Sequence, residues 1–158
     1  MPTRPLLFLD VDGPLIPFGG VGHLTHGPVP ASGNPLLTRV NPDHGRRLAA
    51  LQCDLVWATT WQEDANESVS PLLGFPPLPV VPWPEEEPPA GVHWKTPALV
   101  AWAAGRHFAW VDDDITTRDR AWVAAHHRGA ALLHRVDPRL GLTDADFTVL
   151  DEWLRHDR

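Results

Sequence analysis

Asp10 and Asp12 stand two residues apart at the end of the apolar run Leu6-Leu7-Phe8-Leu9, and Gly13 follows them. Four consecutive apolar residues read as a strand buried on both faces, of the kind found inside a parallel sheet. A strand has a side-chain period of two, so where it persists the groups at 10 and 12 leave on the same face. An isolated buried charge is very costly, and two carboxylates ending a buried strand therefore need compensation. Two acids converging at the carboxyl end of a central strand can hold a divalent cation beside a nucleophile. An ordinary Asp-Gly turn uses the same residues without chemistry.

Other residues weigh on that choice. The second predicted strand, Asp54–Ala58, ends in Thr59-Thr60-Trp61, and the next long one, His107–Val111, ends in Asp112-Asp113-Asp114. Lys95, the only lysine in the chain, precedes Thr96-Pro97 at a helix start. A chain that uses arginine elsewhere keeps a lysine where a compact point charge is wanted instead of a planar fork. Acids alone suggest a metal site; acids with a hydroxyl and a cation suggest a site for a phosphate bridged to Mg²⁺. In parallel sheets such sites lie beyond the carboxyl ends of the strands.

The elements that must position these groups alternate along the chain. Asn41-Pro42-Asp43 starts a helix, with Asn41 as its cap, that runs to about Gln52 with Leu48, Leu51 and Ala49 toward the sheet. A helix over 62–69 precedes a proline-dense segment, in which Leu78–Val81 is expected as a short edge strand. Helices follow over Thr96–Ala104 and Thr117–His127, then a strand over Ala130–His134. The last helix, capped at Thr143, buries Phe147, Leu150 and Leu154. Asp114 is expected to cap the turn after its strand. The stretch 14–40 is irregular and long enough to suggest a functional loop; its His23 and His26 read as solvated.

At 158 residues and 43% hydrophobic, the chain is expected to form a single domain over 1–158 with one substantial core. No apolar run is long enough to span a membrane, and Leu6–Leu9 is too short for a signal peptide. The lone Cys53 reads as a buried thiol and fits a reducing cytoplasm. A net charge of −7 argues against broad binding to nucleic acid or anionic membrane, though not against a local basic groove.

The wider motifs are Leu-Asp-Val-Asp-Gly (9–13), Val-Trp-Ala-Thr-Thr-Trp (56–61), His-Trp-Lys (93–95) and Ala-Trp-Val-Asp-Asp (109–113). They resemble the four motifs of the haloacid dehalogenase (HAD) superfamily, and the wider pattern looks like the HAD domain of the Swiss Army Knife RNA repair proteins. The resemblance covers nearly the whole chain. It implies a HAD-like Rossmannoid three-layer α/β/α fold around a central parallel five-stranded sheet, with no full cap domain.

The same resemblance implies roles. Asp10 would be the covalent nucleophile, and Asp12 the acid and base for the leaving oxygen and the water. Mg²⁺ would be held by Asp10, Asp12 (through its backbone carbonyl) and Asp112, with Asp113 as a further ligand or an acceptor behind it. Thr59 would hydrogen-bond the phosphoryl group, with Thr60 as a backbone donor or the alternative hydroxyl. Lys95 would keep Asp10 ionised and neutralise phosphoryl charge. Trp61, His93 and Trp94 are candidates for stacking on a base, with packing the alternative for each tryptophan. Arg118 and Arg139 lie near the same edge. Pro14 departs from the superfamily, which usually has Thr or Val there. The implied function is an Mg²⁺-dependent phosphomonoesterase acting on a phosphorylated nucleotide or RNA end. The competing reading is a non-catalytic module that binds phosphate or nucleic acid in a repair or conflict system.

Overall fold

β1 (Leu6–Leu9) sends Leu7 and Leu9 to one side and Leu6 and Phe8 to the other, and all four are buried. A computed structural model describes residues 3–156 apart from Val21 and Ser32. In it β1 pairs in parallel with β2 (Asp54–Trp57) and with β3 (Phe108–Asp112). β4 (Ala131–Arg135) pairs in parallel with β3 and completes the order β2-β1-β3-β4. Leu9 lies beside both Trp57 and Val111, so three strands end level with one another.

Helices cover both faces, making an α/β sandwich of three layers. α1 (Asp43–Ala49), α2 (Ser70–Leu73) and α5 (Asp144–Arg155) bury Leu48, Leu73, Phe147, Leu150 and Leu154 on the side of Leu7 and Leu9. α3 (Thr96–Ala103) and α4 (Thr117–His126) bury Leu99, Ala103 and Val123 on the side of Leu6, Phe8 and Phe108. Gly45 lets α1 close on α2: a Cβ there would sit 1.9 Å from the Leu73 carbonyl oxygen. Reciprocal capping boxes, Thr116 with Asp119 and Thr143 with Asp146, start α4 and α5.

The sheet has four strands, not the expected five. Leu78–Val81 contributes a single bridge, with Val80 opposite Trp57. Trp57 N–H donates to Pro79 O at 2.9 Å and Val81 N–H to Trp57 O at 3.0 Å. Pro79 and Pro82 have no N–H, so the ladder stops there. The Asn66 amide grips the segment instead, accepting from Leu78 N–H at 2.8 Å and donating to Leu78 O at 2.9 Å.

Three local expectations also shift. The helix predicted over 62–69 continues through a π turn (Ala65–Val69) into α2, where Pro71 occupies a first-turn position that needs no N–H. α1 ends at Ala49, which faces solvent; Leu48 and Leu51 are buried as expected. The irregular 14–40 stretch holds a 3-10 turn, Pro35–Arg39, capped by Asn34. No helix among the described residues is long and apolar enough to cross a membrane.

Candidate active site

The chain leaves β1 toward β2 on one side, while β3 and β4 build out on the other, so the topology switches between β1 and β3. The carboxyl ends of two strands at such a point form a crevice. Asp10 follows β1 and Asp112 ends β3, which brings them into it. Carboxylate oxygens of Asp10, Asp112 and Asp113 all lie within 4.8 Å of one another. Asp10 and Asp112 are only 7% and 1% exposed.

Lys95 compensates them. The residue is 3% exposed; its ammonium donates to Asp112 Oδ2 at 2.8 Å and Ala58 O at 2.9 Å, and lies 3.3 Å from Asp10 Oδ2. Asp10 Oδ1 accepts from Val11 N–H at 2.8 Å. Burial nevertheless pushes the Asp10 carboxyl up to about 7; Lys95 opposes the rise and Asp112 adds to it. Asp113 rises to about 6, from burial and then from Asp112. Crowded acids with a single ammonium between them are short of positive charge. Gly13 admits Asp113 to the crevice: its φ is +100°, and a Cβ there would lie 2.9 Å from the Asp113 side chain.

Asp12 stands apart from these three. Its Oδ2 accepts the Trp61 indole N–H at 3.1 Å, so Trp61 orients an acid while its ring packs partly against the core. Thr59 is completely buried: its Oγ1 accepts from Trp61 N–H at 3.2 Å and its carbonyl from the Trp83 indole at 2.9 Å. Thr60 is exposed. Trp94 is 40% exposed and meets Trp83 edge-on, with ring centroids 5.0 Å apart. His93 sits against Trp94, accepts Lys95 N–H on Nδ1 at 3.0 Å, and places Nε2 3.3 Å from Asp114. Among the described residues no backbone N–H donates to the Asp114 side chain, so the expected cap is not formed by it. Asp112 caps the turn instead, accepting Asp114 N–H at 3.0 Å.

Sequence reasoning missed Asp119. This fully buried carboxylate accepts from His93 N–H at 2.7 Å and the Thr96 hydroxyl at 2.8 Å through Oδ1. Through Oδ2 it accepts from Thr116 N–H and hydroxyl at 2.9 and 2.8 Å. Burial alone would raise its pKa; these hydrogen bonds outweigh it and hold the carboxyl below the usual range. Asp119 thus fastens the start of α4 to the residues on either side of Lys95. The Thr116-x-x-Asp119 spacing announces a capping box, but not the link to His93 and Thr96. Arg118 lies against Gly91 on the same side.

A family model for the HAD domain in Swiss Army Knife RNA repair proteins matches residues 6–147. No curated protein and no solved structure matches the chain.

Proposed function

The chain belongs to the HAD superfamily, in the family of HAD domains found in Swiss Army Knife RNA repair proteins, and from that premise we propose that it is an Mg²⁺-dependent phosphomonoesterase working through an aspartyl-phosphate. The observation that carries the reading is the meeting of Asp10, Asp112 and Asp113 within 4.8 Å, with the Lys95 ammonium against the first two. The donor set fits Mg²⁺: all three are hard carboxylate oxygens, and neither Cys nor His is in the cluster. Asp10, Asp112 and Asp113, with the Asp12 carbonyl, would hold the ion, which when bound neutralises charge on the phosphoryl oxygens.

Asp10 attacks phosphorus, forming the carboxyl–phosphoryl bond as the bond to the leaving oxygen breaks. Asp12, held by Trp61, gives its proton to that oxygen. The resulting Asp12 carboxylate then takes a proton from water, which attacks phosphorus and releases phosphate and Asp10. Lys95 favours the ionised form of Asp10 against burial and its acidic neighbours, and reaches the site from a backbone fixed by Asp119. Thr59 shapes the turn at the end of β2, and Thr60 offers the exposed hydroxyl for a phosphoryl oxygen.

The two stretches between the motifs where a cap would sit, 14–40 and the segment before Trp94, hold a 3-10 turn and irregular proline-rich chain, which supports an uncapped single domain. An open site suits a phosphorylated nucleotide or RNA end, with Trp94 and His93 at its mouth. Cys53, buried and with its thiol pushed up to about 12 by burial, is chemically quiet and fits a cytoplasmic setting. The test is phosphate release from an aryl phosphate and from 3′- and 5′-phosphorylated oligonucleotides, with and without Mg²⁺. Mg²⁺-dependent release is expected; none from any substrate would leave the non-catalytic binding module.

A further inference from the structure

We propose that the pocket between the 14–40 loop and the 137–142 loop holds the nucleotide next to the phosphorylated end, which makes a polynucleotide the substrate; this rests on the phosphomonoesterase reading. The cavity measures about 360 Å³, and His23, His26, Arg39, His44 and Arg139 line it. No carboxylate among the described residues does, in a chain with 20 acids against 13 Lys and Arg. The charge balance of this pocket is therefore opposite to that of the protein as a whole.

Its cations are placed for an anion. Arg39 donates through Nη1 to Pro17 O at 2.8 Å, its one hydrogen bond among the described residues, which anchors the side chain and leaves the other guanidinium N–H groups for a ligand. Arg139 is held at the rim by Asp137 at 3.0 Å and lies along Gly20. His44 also lines the wall, and its Nδ1 is buried without a hydrogen-bond partner among the described residues. Leu24 and Leu140, 81% and 64% exposed, add apolar surface beside the imidazole rings. Phosphate-binding cations beside flat rings and bare apolar surface suit a nucleotide better than a run of carboxylates.

The pocket also shares a wall with the catalytic turn. Pro14, which follows Gly13, lines it, and Pro14 O accepts Leu142 N–H at 2.9 Å from the opposite loop. Gly13 N–H donates to Ile16 O at 2.9 Å and Leu15 N–H to Val11 O at 3.0 Å, so the turn that carries Asp12 is the turn that floors the pocket. Asp10 and the pocket are thus one turn of chain apart, the separation that one nucleotide is proposed to span.

The experiment compares kcat/KM for a phosphate-ended single-stranded oligonucleotide with that for an aryl phosphate, in Mg²⁺, for wild type and for Arg39→Gln, Arg139→Gln and His23→Gln. The oligonucleotide-to-aryl ratio is expected to fall about tenfold in Arg39→Gln, and the salt dependence of log KM to lose about 0.7 of slope per cation removed. Arg39→Lys should recover the slope, and His23→Gln, which disturbs no hydrogen bond, should lower the ratio without affecting folding. An unchanged ratio in all three Gln variants overturns the proposal, as does a phosphopeptide whose turnover depends on them more than the oligonucleotide's. Anisotropy of a labelled oligonucleotide separates the two readings. Binding that the variants lose, without turnover of any substrate, keeps the subsite and removes the phosphatase. Aryl phosphate turnover with an oligonucleotide bound no better than a mononucleotide keeps the phosphatase and removes the subsite.

Discussion

The crevice between β1 and β3 and the pocket behind Pro14 lie one turn apart and handle charge in opposite ways. In the crevice the buried charges are already engaged: Lys95 meets Asp10 and Asp112, and Asp119 accepts four hydrogen bonds. In the pocket three histidines and Arg39 have no carboxylate beside them in the lining. The crevice stands on strand ends and helix starts, the pocket mostly on loops, with Arg39 ending a 3-10 turn and His44 in the first turn of α1. Groups that must hold a reacting geometry sit on rigid elements with supporting contacts, whereas groups that select a partner sit where the chain can vary.

The largest effect should come from the centre of the crevice. Asp10→Asn is nearly isosteric and cannot accept the phosphoryl group, so phosphate release should fall by at least about 10⁴-fold with the circular dichroism unchanged. Retention of more than a small fraction of the rate would remove the covalent step.

Lys95→Ala should lower kcat by about 10²–10³-fold, the usual effect of losing one preorganised charge donor. Because its partners are buried acids, it should also destabilise the fold by about 3–5 kcal/mol in urea melts. Mg²⁺ should restore much of that loss, since it supplies the missing charge. Lys95→Arg should rescue neither fully, because the guanidinium is larger and differently aimed. A stable, active Lys95→Ala would place Lys95 outside the site.

Asp119→Asn probes the support beneath Lys95. Hydrogen bonds to a charged group are worth about 1.5–3 kcal/mol each, and a loss of that order is expected at pH 7, with a drop in kcat exceeding any change in KM. The sign with pH follows from the depressed Asp119 pKa. Its contribution is present in full above the unfolded value near ~3.9 and is lost as pH falls through the lower folded value. Wild type and Asp119→Asn should therefore converge in stability below about pH 4. A gap that persists or widens in acid would mean that the carboxylate is not the stabilising form.

What could be read from the chain follows the range of the interactions involved. β1, the Asp-x-Asp-Gly turn, the ends of β2 and β3 and the start of α3 rest on local apolar runs, caps and prolines, and each lies within a residue of where it was expected. Leu78–Val81 misled because β-propensity at Leu78, Val80 and Val81 competes with the absent N–H groups of Pro79 and Pro82, and the prolines win. Asp119 was invisible because its meaning lies in His93 and Thr96, far away in sequence. His23 and His26 read as solvated because nothing local shows that Arg39, His44 and Arg139 gather around them.

Trp61 sits on the boundary between the two kinds of region, and the smallest expected effect decides which it joins. Trp61→Phe keeps an aromatic ring and removes the N–H that donates to Asp12 Oδ2 at 3.1 Å. If the residue serves recognition by stacking, Phe should preserve most of its worth and KM should change little with any substrate. If it aims Asp12, the loss is one hydrogen bond of about 1–1.5 kcal/mol, or about five- to tenfold in kcat. That loss should depend on the leaving group. An aryl phosphate departs as a stabilised phenolate and needs little protonation, whereas an alkyl phosphate or nucleotide sugar oxygen needs the proton from Asp12. Trp61→Phe should therefore slow the alkyl substrate several times more than the aryl one, at unchanged KM. Equal slowing of both would make Trp61 a packing residue, and no slowing of either would return it to stacking on the substrate.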